Sequence, residues 1–123
     1  MQFETKSALR AFANVHASPS KGPWLRLLGQ VMALCDGQGQ LVRHSERAWA
    51  SATFSGSRHG IALAFEGADA VEAGERLIAA LDEHEFDITG WLVADAAVIE
   101  ARHGLLPVPT LAVDLEVLLL EDL

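Results

Sequence analysis

A second cysteine is missing from this chain. Its one thiol, Cys35, therefore cannot form an intrachain disulfide, and a reducing compartment is the default expectation. Bases are scarce too: 9 stand against 17 acids, for a formal net charge of −8. Such a field repels phosphate backbones unless the bases gather on one face. Along the sequence they are scattered, as Lys6, Arg10, Lys21, Arg26, Arg43, Arg47, Arg58, Arg76 and Arg102. No nucleic-acid partner is expected. Nor does any apolar run approach the roughly 20 residues of a membrane helix; Asp95 interrupts "WLVADAAVI". The opening "MQFETKSALRAF" mixes an acid and bases into its apolar residues, which is not a secretory-signal pattern. Internal repeats and low-complexity tracts are absent. The expectation is a soluble, acidic, cytoplasmic protein that needs neither membrane nor cofactor.

What the chain does have is apolar content. Half of its 123 residues are hydrophobic, and one domain of this length buries roughly two thirds of its unfolded surface. Residues 1–123 are read as a single domain, with 1–21 an N-terminal strand or arm. In that arm Leu9, Ala11, Ala13 and Val15 alternate at strand spacing, while Leu9, Phe12 and Val15 would suit a helix. The strand is preferred, and "ASPSKGP" then breaks the chain.

"PWLRLLGQVMALC" (23–35) is a helix by spacing. Trp24, Leu27, Leu28, Val31, Leu34 and Cys35 fall on one stripe. Pro23 suits a first turn and Asp36-Gly37 supplies a stop. Gly29 inside it suggests close packing against a neighbour. A second helix is predicted over 70–84, with Asp69 and Glu72 as a capping box and Val71, Gly74, Leu77, Ile78 and Leu81 inward.

"WASATFSGSRHGIALAFEG" (49–67) reads as a hairpin turning at Gly56-Ser57. That register pairs Phe54 with His59, Ala52 with Ile61, Ala50 with Leu63 and Ala48 with Phe65. One face is then a core surface. The other carries Trp49, Ser51, Thr53, Ser55, Arg58, Gly60, Ala62 and Ala64. Two long strands follow, "FDITGWLVADAAVIEA" and "PTLAVDLEVLLLE". The resulting fold is a two-layer α+β domain: a twisted antiparallel sheet of about four to five strands with two helices on one face.

The last two strands are not cleanly amphipathic. Straight alternation puts Trp91, Val93, Ile99, Leu118 and Leu120 on the second face, where a wet sheet would be polar. A second copy is the simplest cover, since two-fold homodimers predominate. A small-molecule ligand against Trp49 and Trp91 is the other.

Candidate chemistry is thin. None of the histidines His16, His44, His59, His84 and His103 falls in a strong zinc spacing. The nearest pattern is His44 with Glu46, two apart, which could form a facial set with His59 or Asp95; a solvated strand end is the simpler reading, so no metal is expected. Arg58 and His59 are adjacent, so in a strand they point to opposite faces. His59 is then a half-buried histidine or, alternatively, a general base. Arg58, near Thr53 and Trp49, could clamp an anionic ligand, or bridge to Asp95 or Asp114 across a dimer. Asp95 inside an apolar strand is read as a buried carboxylate, either paired or available for acid–base work. Cys35 is read as inert core, and Ser51, Ser55 and Ser57 lack a nucleophile elbow. Since every catalytic set has a simpler structural explanation, the leading expectation is a non-catalytic homodimeric binding or assembly module. The alternative is a small enzyme at a dimer cleft.

Overall fold

The computed structural model describes residues 22–122, so the expectations for residues 1–21, His16 included, lie outside the described residues. Two helices and four strands follow one another: α1 (Trp24–Ala33), β1 (Gln40–Ala50), β2 (Ser55–Glu66), α2 (Ala68–Leu81), β3 (Trp91–Gly104) and β4 (Thr110–Glu121). The strands form one open antiparallel sheet in the order β1-β2-β4-β3. β2 and β3 therefore run parallel, joined by α2, and β4 inserts between them. The fold is α+β, as expected, with four strands.

One sheet face carries both helices. From β2 it presents His59, Ile61, Leu63 and Phe65, and from β4 Leu111, Val113, Leu115, Val117 and Leu119, all buried. Against them pack Trp24, Leu27, Leu28 and Val31 of α1 and Val71, Ala73, Leu77 and Leu81 of α2. The helical stripes thus fall where a 3.6-residue period puts them. α1 is further tied down by the Gln30 amide, which donates to the Asp87 carbonyl and accepts from the Asp87 N–H at 3.0 Å.

The hairpin differs from its expected register. Its loop is Ser51 to Phe54, four residues earlier, and β1 pairs as Ala50↔Ser55, Glu46↔His59 and His44↔Ile61. Ser51 closes that loop: its Oγ accepts from the N–H of Phe54 at 3.0 Å and of Thr53 at 3.3 Å, while its own N–H donates to the Phe54 carbonyl at 2.8 Å. A serine that bonds the backbone two and three residues on makes a turn without glycine. Gly56 serves another purpose, because a Cβ there would run into the Leu119 carbonyl of β4. Phe54 and Ala52 are consequently exposed loop residues, not core.

β3 holds the other surprise. Its pairing with β4 shifts between Val93 and Asp95 and again between Val98 and Glu100. Each bulge adds a residue and reverses which side chains face the helices. Trp91 and Val93, expected on the second face, instead pack against the core beneath the helices. Leu92 takes the open side in their place, and the bulge residue Ile99 is exposed.

Two smaller expectations also fail. Gly29 faces open space rather than a close neighbour. α2 starts at Ala68 with Gly67 in the cap position, at φ 96°, and no side-chain cap. Gly67 turns the chain from β2 into the helix so abruptly that a positive φ is required, which glycine adopts without strain; Asp69 merely sits in the first turn.

Candidate functional site

The two sheet faces each concentrate chemistry. On the helix side, His44 and Glu46 alternate along β1 and Glu46 lies directly opposite His59 of β2. His44 Nε2 stands 2.9 Å from His59 Nδ1, and His59 Nε2 is 2.8 Å from Ser57 Oγ. Trp24, brought in by the first turn of α1, stacks on His44 with centroids 3.4 Å apart and planes within 10°. His59 is completely buried and Ser57 nearly so, His44 is half-buried, and Glu46 is exposed. His44 and Glu46 thus lie within β1 rather than at a strand end, His44 in a sheltered imidazole stack and Glu46 solvated at its outer rim.

The open face is organised by charge. Arg58 donates to Glu116 Oε1 at 3.1 Å, and Arg47 lies 4.0 Å from the other oxygen of the same carboxylate. Arg43 and Arg102 both approach Asp114 at 3.9 Å, and Arg102 also bonds Glu100 at 3.0 Å. That contact with Glu100 raises the already high pKa of Arg102. Bases scattered in sequence thus converge in space, because each alternates outward on its strand. They converge with carboxylates, however, and each of the four has one within 4.0 Å.

The predicted site residues are distributed accordingly. Arg58 and Trp49 share the open face, one ladder step apart along the hairpin. Arg58 meets Glu116 of its own chain. Thr53 sits in the hairpin loop, and Trp91 is on the other side of the sheet. Asp95 is exposed, against the expectation of burial, because its bulge turns it outward from β3. His59 lies beneath the helices, so the sheet separates it from both Asp95 and Arg58. Ser57, Trp24 and Glu116 were not singled out as site residues. Glu116 follows from strand alternation, whereas the placing of Trp24 over His44 depends on helix docking that no local pattern reports.

Cys35 is fully buried at the end of α1, with its thiol 3.4 Å from the Met32 carbonyl. Burial pushes its pKa up, an effect partly offset by the backbone N–H groups of Gly39, Gly37 and Gln38. The folded state therefore holds this proton at a pH where the unfolded chain has released it. Stability from this group is complete below the unfolded value of about 8.5 and declines as pH rises through the folded value. Thermal melting from pH 7 to 10 should show this decline, and Cys35→Ala should remove that part of the slope. Ellman's reagent should label the native thiol far more slowly than the urea-unfolded one.

Comparison with protein-family models, with curated proteins and with solved structures finds no match to this chain.

Proposed function

We propose that this protein is a non-catalytic assembly module that dimerises through its open sheet face. What carries the reading is the self-complementarity of that face. Its rows, followed across the sheet, read Arg47–Arg58–Leu118–Asp95, Arg43–Ala62–Asp114–Glu100 and Trp49–Gly56–Leu120–Leu92. Arginines thus mark the β1 edge and carboxylates the β3 edge, in the same two rows. A two-fold axis parallel to the strands lays β1 of one copy over β3 of the other and keeps the rows aligned. Arg47 then faces Asp95 of the second copy, Arg43 faces Glu100, and Trp49 faces Leu92. The perpendicular axis would set arginine on arginine.

The area also fits. Strands of at least 11 residues, at about 3.3 Å per residue and about 4.8 Å between strands, give roughly 700 Å². A standard interface contributes about 800 Å² per partner. Burying so many charges is costly unless they stay paired, and here each arginine brings an intrachain partner, while the exposed Leu92 and the half-buried Trp49 supply the hydrophobic contribution. The reading retains a cytoplasmic setting, with Cys35 as a buried reduced thiol.

Sedimentation equilibrium of the full chain tests the proposal. A dimer is expected at micromolar concentration. Asp95→Arg should raise its dissociation constant about 100-fold, since like charges juxtaposed in an interface cost several kcal/mol. Adding Arg47→Glu should recover most of that loss. A monomeric wild type, or a dimer indifferent to Asp95→Arg, overturns the reading.

A further inference from the structure

We propose that His44, Glu46 and His59 form a binding site for a divalent transition-metal cation of the zinc class. The site lies on the helix side of the sheet, so it is independent of dimerisation through the open face. Among the described residues these three bring two ring nitrogens and a carboxylate oxygen within 4.8 Å of one another. The 2.9 Å between His44 Nε2 and His59 Nδ1 suits two ligands of one ion. Zinc–nitrogen bonds of about 2.0–2.1 Å place neighbouring ligand atoms about 3 Å apart when they subtend a right angle.

The scaffold holds the donors in place. All three side chains project from one face of a paired antiparallel ladder, and two adjacent strands position them more rigidly than a loop would. Ser57 Oγ engages Nε2 of His59 at 2.8 Å, which aims Nδ1 at the gap, as outer partners of metal-bound histidines do. The indole of Trp24 fixes the plane of His44. Glu46 sits at the exposed rim and supplies both a route in from solvent and a negative charge toward the dication.

The donor set also selects the ion. Two imidazoles and one carboxylate suit zinc and its first-row neighbours, whereas magnesium and calcium require oxygen-rich shells. Three protein ligands leave at least one position for water.

Chelator-stripped full-length protein should be titrated with Zn²⁺ by calorimetry and with Co²⁺ by visible absorption, with Mg²⁺ as control. One ion per chain is expected, with cobalt d–d bands and no response to Mg²⁺. Glu46→Gln changes an exposed side chain on a paired strand, so the fold is retained, and circular dichroism verifies this. It should weaken Zn²⁺ binding about tenfold or more, as losses at metal sites do. His44→Gln should abolish the cobalt bands. Absence of Zn²⁺ uptake by the wild type, or affinity unchanged in Glu46→Gln, overturns the proposal. Neither readout depends on oligomeric state, so failure here leaves the dimer reading to its own test.

Discussion

Alanine at Gly56 should destabilise the protein by more than about 3 kcal/mol, beyond the usual range for adding a methylene to a packed site. The added Cβ would overlap the Leu119 carbonyl oxygen, with the carbonyl carbon at 2.8 Å and the Leu120 Cα at 2.9 Å. These are backbone atoms of β4, a central strand hydrogen-bonded on both edges. They can yield only if the β2–β4 ladder opens at that end. The matched control is Gly60→Ala, four residues along the same strand. There the new methyl meets the Ser45 hydroxyl at 2.6 Å, and Ser45 is an exposed side chain free to rotate. Gly60→Ala should stay within about 1 kcal/mol, helped by the reduced entropy of the unfolded chain. Urea unfolding of both variants distinguishes a backbone collision from a general intolerance of side chains. Equal effects would refute it.

Phe65→Ala should cost about 3–5 kcal/mol, the range for a fully buried aromatic. Natural domains are stable by only about 5–15 kcal/mol, so the variant is expected to be partly unfolded at 37 °C. Phe65 is 1% exposed and its ring lies in a slot between two glycines. A Cβ on Gly39 would come within 2.9 Å of the ring, and so would one on Gly74. A ring so enclosed leaves a cavity that neither flank can fill. Phe54→Ala provides the contrast. Phe54 is 48% exposed in the hairpin loop, and its loss should change stability by under about 1 kcal/mol, as exposed substitutions do. The sequence register that set Phe54 opposite His59 implies comparable costs for the two. Melting temperatures of the two variants decide between the registers.

That contrast also marks how far local pattern reaches. β2 was read correctly by alternation alone: His59, Ile61, Leu63 and Phe65 inward, and Arg58, Gly60, Ala62 and Ala64 outward. The same holds for β4 and for the buried stripe of α1. β1 was misaligned because "SG" is a plausible turn and Ser51 is an inconspicuous one. β3 was misread because a bulge leaves no mark in composition, and one extra residue transfers every later side chain to the other face. Trp91 and Val93, assigned to the open face, are the residues on which that error fell; Asp95 lies on the face that alternation assigns it, but exposed rather than buried.

The candidate metal site divides along the same line. Its residue types were legible, since His44 and Glu46 share a strand face at a spacing of two and His59 was assigned to the layer under the helices. Their meeting was not, because the distance from His44 to His59 depends on where the hairpin turns. The charge rows of the open face are similar. Each arginine and carboxylate points outward by alternation, but their alignment into rows depends on how four strands pair.

For this protein, then, the sequence by itself determined which way side chains point within β2, β4 and α1, because direction follows from the local backbone period. It also determined that two helices would cover one face of a sheet, since their apolar stripes have no other place to be buried. The tertiary structure alone decided the hairpin loop at Ser51, the two bulges of β3, and the neighbours of His44, Arg47 and Asp95. Those depend on register between distant strands. Register is selected by the summed packing of the whole sheet, including the close passage of Gly56 over Leu119, and no short stretch of sequence contains that sum.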